Sequence, residues 1–428
     1  MNQRLFSYIE ASPTPFQAVA HTAKLLTEAG YTHLSESGDW QLEPGKGYYV
    51  TRNGSSLIAF RLPKVDFTGF MITASHCDSP CFKIKENAEV AGPQYVQLSV
   101  EKYGGQILST WLDRPLSVAG RVIVRTQTGI ESRLVDFKEP MAVIPNVAPH
   151  INRKVNDGFA YNLAVDMQPL VSSEEGKGAF RARVAELAGV AEEDIVATDL
   201  FVYNPQKGVE WGDFISAPRL DDLQCAFSAL TGFMEAGESA SVPVYCLFDN
   251  EEVGSRTKQG AAGTFLNYTL NRIADSCGRD ALAFRRAVAN SFMVSCDNAH
   301  SAHPNHPEFS DKNHAVYMNK GVVIKYNASQ SYTSDAVSSA VFQMVCEKAE
   351  VPVQRFTNRA DMMGGGTLGN IANTQVSLNT VDIGIAQLAM HSSFETAGSR
   401  DTAYMVSALK KFYESSLAME TDGVYSLQ

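Results

Sequence analysis

The stretch PVYCLFDNEE, Pro243 to Glu252, decides the reading of the fold. Pro243 to Phe248 is apolar without alternation and too short for a helix, and it breaks abruptly into Asp249-Asn250-Glu251-Glu252. Such a run suits a strand buried on both faces of a sheet. The same kind of text recurs at GFMITAS (Gly69 to Ser75), SFMVSCD (Ser291 to Asp297) and GVVIK (Gly321 to Lys325). Helical patterns lie between these runs, at Leu220 to Glu235, Ser255 to Ser276 and Ser334 to Glu350. Strands and helices that alternate, with both sheet faces covered, predict an α/β protein built as a mixed-sheet αβα sandwich.

Outward from this centre, the N-terminal segment reads as two helices. Leu5, Phe6 and Ile9 share one face, and the second helix opens at Ser12-Pro13-Thr14-Pro15 and ends near Gly30. From Glu89 to Tyr203 the text changes to short Val- and Gly-rich runs such as RVIVRT and RLVDF. One helical pattern there, Ala179 to Ala188, precedes the strand-like IVATDLFVYN. Residues 89–203 are therefore expected to form an inserted β-rich domain, which leaves the α/β domain discontinuous over 1–88 and 204–428.

Composition narrows the function classes. The chain has 428 residues, 44% of them hydrophobic, and its 22 Phe, 16 Tyr and 3 Trp are too much burial capacity for a disordered protein. A formal net charge of −11, with no dense Lys/Arg cluster, argues against nucleic acid or an anionic membrane as partner. The longest uncharged stretch, Met362 to Val381, is too polar to span a bilayer, and Glu10 interrupts the N-terminus before a signal-length apolar run. Seven scattered cysteines form no disulfide framework, so a cytoplasmic protein with free thiols is expected.

Acidic residues and histidines collect where the predicted strands end, the place at which open α/β sheets bind ligands. One end carries Ser75-His76-Cys77-Asp78, another Asp249 to Glu252, and a third Cys296-Asp297-Asn298. Asp221-Asp222 opens a helix after SAPRL, and His391 follows IGIAQLAM. Each alone reads most simply as a helix cap, a dipole partner or a half-buried side chain. Together they would repel one another and raise their own pKa values unless a cation compensates. Two histidines and three carboxylates suffice for two divalent ions with one Asp bridging. A nitrogen and oxygen donor set suits zinc, with cobalt or manganese as substitutes. Asp78, two residues after His76, fits a carboxylate that supports a ligand histidine.

Other conspicuous features read more plainly. His300, His303, His306 and His314 form a tract that Pro304 and Pro307 bar from a regular helix, so it is expected as a loop leaving the Asp297 strand, with His303 touching the site without being a ligand. Cys77 and Cys81 lack a second pair at zinc-finger spacing, and Gly364-Gly365-Gly366-Thr367 lacks the lysine of a phosphate-binding loop. The glycines there suit close backbone approach to a substrate or neighbour.

With these residues assembled, the chain resembles the aspartyl aminopeptidase family of dinuclear zinc aminopeptidases. The resemblance runs from FSYIEASPTPFQAV to FETAG and is carried by SHCDSPCFKIK, WLDRPLSVAGRV, SAPRLDDL, FDNEEVGS, SCDNAHSAHPNH and the DMMGGGTLG to QLAMHS block. It implies His76 and Asp297 on one zinc, Glu252 and His391 on the other, Asp221 bridging, and Glu251 as general base acting with a dizinc-bound hydroxide. It further implies that the β-rich domain dimerises, that twelve subunits assemble into a tetrahedral particle, and that His150 reaches a neighbour's active site. Lys325 would pair with an acidic first residue of a peptide whose N-terminus is free. A dizinc carboxypeptidase or N-acyl-amino-acid deacylase is the competing hydrolase reading, and a non-catalytic self-assembling particle protein the competing non-enzyme.

Overall fold

A computed structural model describes all 428 residues, Met1–Gln428. Its centre is a nine-stranded sheet in the order Thr32–Leu34, Gly47–Arg52, Ser56–Arg61, Val242–Phe248, Phe70–His76, Phe292–Cys296, Asn379–Gly384, Val322–Tyr326 and Val353–Thr357. All four runs singled out in the sequence are strands of this sheet, and three of them are neighbours at its middle. Val242–Phe248, Phe70–His76, Phe292–Cys296 and Asn379–Gly384 run parallel, while Ser56–Arg61 is antiparallel to Val242–Phe248 and Val322–Tyr326 is antiparallel to Asn379–Gly384. The sheet is therefore mixed.

The central strands are buried along their whole length, which is why their sequences do not alternate. On one face the helices Asn2–Glu10, Pro15–Glu28, Leu220–Glu235, Ala336–Lys348 and Asp401–Tyr413 close a core that includes Leu223, Phe233, Phe342, Met405 and Phe412. On the other face Phe265–Ser276, Ala281–Ala289 and Leu368–Asn373 close a second core around Phe60, Phe70, Phe248 and Phe265. The architecture is an αβα sandwich.

Local chemistry sets the helix starts. Pro15 occupies the first helical turn, where its missing N–H costs nothing. Asp335 accepts the Ser338 N–H at 2.7 Å while the Ser338 hydroxyl accepts the Asp335 N–H at 3.0 Å, a reciprocal cap. One helix is shorter than its sequence pattern: Ser255 to Thr264 is folded into turns, and the helix begins only at Phe265. Tight approach explains the difference. A Cβ on Gly260 would lie 2.3 Å from the Ser255 carbonyl oxygen, so this segment is compacted onto itself instead of rising along a helix axis.

A second, six-stranded antiparallel sheet is built from the middle of the chain. Its order is Ile130–Asp136, Ser117–Arg125, Ile195–Tyr203, Cys81–Ala91, Tyr95–Tyr103 and Leu170–Ser173. The helix Ala179–Ala188 covers it, burying Phe180 and Val184 against Val122, Val135 and Leu200. The strand Cys81–Ala91 runs through the expected 88/89 boundary without a break and pairs wholly within this sheet, because its alternating apolar residues Phe82 and Ile84 belong to that core. Gln17 ties the two bodies together, its side-chain amide donating to the carbonyls of Gly120 at 2.8 Å and Val135 at 3.0 Å.

A small third sheet joins Val209–Trp211, Phe214–Ala217, Glu395–Gly398, Ala386–Leu388 and Ala299–His300. No helix is long and apolar enough to cross a membrane, and all seven cysteines are free.

The strand ends pack closely at one point. A Cβ on Gly384 would stand 2.1 Å from the Asp297 carbonyl oxygen. Gly384→Ala is therefore expected to lower stability by about 1–3 kcal/mol through overpacking, read from the urea midpoint.

Candidate active site

The carboxyl ends of the three central strands bring the site together. Phe248 pairs with His76, and Ser295 pairs with Ala74, so Asp297, two residues on from Ser295, is level with His76. His76 thus stands between the Asp249–Glu252 turn and Asp297. Asp221 and Asp222 enter from the opening of the helix Leu220–Glu235, where their φ/ψ values are not helical and the regular turns begin only after them. His391 arrives from the segment after Ala386–Leu388, with a φ of 67°.

These side chains surround a cavity of about 610 Å³. His76, Asp221, Glu251, Glu252, Asp297, His391 and Lys325 all line it. Asp221 is central: its Oδ1 lies 3.5 Å from His76 Nε2 and its Oδ2 lies 3.3 Å from His391 Nε2. Each carboxylate oxygen therefore faces a different histidine. Glu252 Oε1 is 3.5 Å from His391 Nε2. Three donor groups result: His76, Asp221, Asp222 and Asp297; His76, Glu251 and Glu252; and Asp221, Glu252 and His391. Asp222 is thus a further acid within reach, with one oxygen accepting the His76 N–H at 3.2 Å.

Both histidines present the same nitrogen to the cavity. The Nδ1 of His76 lies 3.0 Å from the Asp78 carbonyl, and the Nδ1 of His391 lies 3.1 Å from the Gly105 carbonyl. A carbonyl can only accept, so each Nδ1 carries a proton and each Nε2 faces the acids, where it offers a lone pair to a metal only after losing its own proton.

Two buried carboxylates hold the backbone of the site. Asp78, fully buried, accepts the N–H of Glu251 and the N–H of Glu252, each at 3.1 Å, and the Tyr103 hydroxyl at 2.8 Å. Glu395 accepts the N–H of Asp221 at 3.0 Å and that of His391 at 2.7 Å. The sequence reading singled out Asp78 but gave Glu395 no role. The available signal was an acid among small residues in ETAG, four positions after His391.

The electrostatics show what the donors need. Burial, reinforced by the surrounding acids, pushes Glu251 up to about 8. Burial raises Asp297 to about 6 although Lys325 opposes it. Burial works against charged His391, yet Asp221 and Glu252 lift it to about 10. Burial also disfavours ionised Asp221, but the flanking His391 and His76 hold it below the usual carboxylate range. Asp221 Oδ1, Asp222 Oδ1 and Glu252 Oε1 are buried without a hydrogen-bond partner. Buried anionic oxygens without donors are expensive. Divalent cations fit them, and the imidazole and carboxylate donors suit zinc.

The remaining expectations divide. Lys325 is buried, its Nζ donating to the Asn298 carbonyl at 3.1 Å and lying 3.7 Å from Asp297. Within the histidine tract, His300 rather than His303 lines the cavity. His300 follows Ala299 in a short strand paired with Ala386–Leu388, whereas His303 sits in a turn, its Nδ1 accepting the Asn305 N–H. Gly365 and Gly366 line the cavity wall, and Cys77 lies in the core. His150 is on an exposed turn of the second body and is not part of this cavity.

Comparison with known proteins came to one family. The model of the aminopeptidase I zinc metalloprotease (M18) family matches residues 8–413. A probable M18 family aminopeptidase 2 of Clostridium novyi is 43% identical over 421 residues, covering 96% of this chain and 97% of the relative. In a solved complex of Ape4 and Nbr1, a chain with a TM-score of 0.93 is 34% identical, over 96% of this chain and 85% of that one. The mApe1 dodecamer of S. cerevisiae gives a TM-score of 0.84 at 30% identity, over 96% and 95%.

Protonated donors must lose protons to take up metal. At pH 7, zinc added to stripped protein is expected to release protons, seen as a buffer-dependent heat in calorimetry. In stripped protein the raised carboxyls bind more protons folded than unfolded. Stability is therefore expected to fall as pH rises through about 6 (Asp297) and about 8 (Glu251), followed by thermal unfolding, and zinc is expected to suppress the fall.

Proposed function

The chain belongs to the aminopeptidase I zinc metalloprotease (M18) family, and on that premise we propose that its cavity is a dinuclear zinc centre that removes acidic residues from the free N-terminus of peptides. The observation that carries the reading is Asp221, with one oxygen toward His76 and the other toward His391. His76 and Asp297 would hold one ion, Glu252 and His391 the other, with Asp221 between. Bound there, zinc would acidify a water and polarise the scissile carbonyl; cobalt or manganese would serve the same donors.

The chain's own groups do the rest. Glu251, whose N–H is held by Asp78, takes a proton from the water as its oxygen bonds to the carbonyl carbon. The same carboxyl then delivers that proton to the departing amine as the C–N bond breaks. Asp78 positions the base and the ligand Glu252 together and supports His76. His150, on its exposed turn, would reach the site of a neighbouring subunit and donate to the oxyanion. The chain would assemble as a tetrahedral dodecamer with the β-rich body as dimer interface; the likeness to the S. cerevisiae mApe1 dodecamer supports the number of subunits.

Lys325 supports the acidic preference. It is a buried cation in the cavity wall, with its Nζ 5.2 Å from the centre of the Tyr332 ring and 3.7 Å from Asp297. An ammonium held there would offer an acidic first residue an ionic partner that an apolar first residue cannot use.

Glu251→Gln is expected to keep its zinc, measured by metal analysis, while kcat falls by about 10²–10⁴-fold. Lys325→Ala is expected to cut the preference for Asp- over Leu-amide substrates by about tenfold or more, the loss falling mainly on the acidic substrate. An unchanged preference would remove Lys325 from the specificity pocket.

A further inference from the structure

The cavity wall carries two permanent side-chain cations, Lys325 and Arg256. Lys325 is engaged by the Asn298 carbonyl and Asp297. Arg256 is exposed, and its guanidinium has neither an ion pair nor a hydrogen bond within the chain.

Its backbone, in contrast, is pinned. Asn250 and Ser255 have φ values of 61° and 59°, which fold the segment after Glu251-Glu252 back on itself. The Ser255 N–H donates to the Asn250 carbonyl at 2.7 Å, and Ser255 is buried. On the other side of Arg256, the Thr257 hydroxyl and the Gln259 amide both donate to Asn250 Oδ1, at 2.8 and 2.9 Å. A fixed Cα with a free guanidinium is a preorganised arm.

Charge gives the arm its purpose. Four carboxylates line the cavity, those of Asp221, Glu251, Glu252 and Asp297. Lys325 already has Asp297 at 3.7 Å, whereas no carboxylate pairs with Arg256. Lys325 is the proposed partner of the first residue's side chain. Arg256 follows five residues after Glu251, the group proposed to protonate the departing amine, and lines the same cavity, which favours the leaving portion of the peptide as its partner.

We infer that Arg256 is a specificity-determining residue that pairs with a carboxylate on the leaving portion of the peptide. That carboxylate is the acidic side chain of the second residue or the free terminus of a dipeptide. The inference rests on the aminopeptidase reading of the cavity and deepens it. Guanidinium and carboxylate match in a two-pronged geometry that lysine does not reproduce.

Three substrates test it on zinc-loaded protein: Asp-Asp-amide, Asp-Ala with a free terminus, and Asp-Ala-amide. The first residue is the same in all, so the Lys325 end cancels, and ratios from one preparation are independent of its active fraction. For the unaltered chain, one or both carboxylate-bearing substrates are expected to exceed Asp-Ala-amide in kcat/KM by about 3- to 10-fold, carried by KM. Whichever substrate shows the excess identifies the source of the carboxylate. Arg256→Ala should bring the ratio to within about twofold of unity, Arg256→Lys should keep part of it, and ~1 M salt should shrink it. A ratio retained in Arg256→Ala, or absent from the unaltered chain, overturns the inference. Acetyl-Asp-Ala-amide cleaved as fast as its free-amine counterpart would overturn the aminopeptidase reading, and this inference with it. That failure shows in the blocked substrate alone, before any ratio is compared.

Discussion

Everything at the carboxyl edge of the central sheet depends on keeping mutually repelling acids in one place. Asp221, Glu251, Glu252 and Asp297 share a cavity, and Asp222 lies buried beside them. The fold achieves this with two further carboxylates that never face the cavity as donors. Asp78 receives the N–H groups of Glu251 and Glu252, and Glu395 receives those of Asp221 and His391. A backbone N–H given to a buried carboxylate fixes the main chain without consuming the side chain it carries. The reactive carboxyls therefore stay free while their backbones are held.

The second body takes part in the same scheme. Tyr103, at the end of one of its strands, donates to Asp78, and Gly105 accepts from His391. Its sheet is thus coupled to the orientation of both a support and a histidine. A Cβ on Gly104 would come within 3.2 Å of the Glu252 side chain, which shows how closely this segment presses on the site. The β-rich body completes the hydrogen-bond shell of the cavity.

Much of this was legible before any coordinates. The unalternating runs at Phe70–His76, Val242–Phe248 and Phe292–Cys296 announce two-sided burial, and acids that follow such runs mark the ligand edge. Other features were not legible. Ser255 to Thr264 carries a helix-compatible pattern, but its glycines serve close packing that only tertiary contact reveals. His300 lines the cavity and His303 does not, because sequence distance says nothing about which way a turn leaves a strand. Glu395 stayed inconspicuous because a backbone clamp leaves no side-chain motif.

The sequence by itself determined the α/β alternation, the burial of the central strands and the inventory of nitrogen and oxygen donors, because hydrophobic period and residue chemistry are local properties. Tertiary structure alone decided that His76, Phe248 and Asp297 end level on neighbouring strands, and that the two oxygens of Asp221 face different histidines. It also decided that Arg256 has its backbone tied down and its charge left free. Register and hydrogen-bond partners join residues far apart in the chain, and no local pattern encodes them.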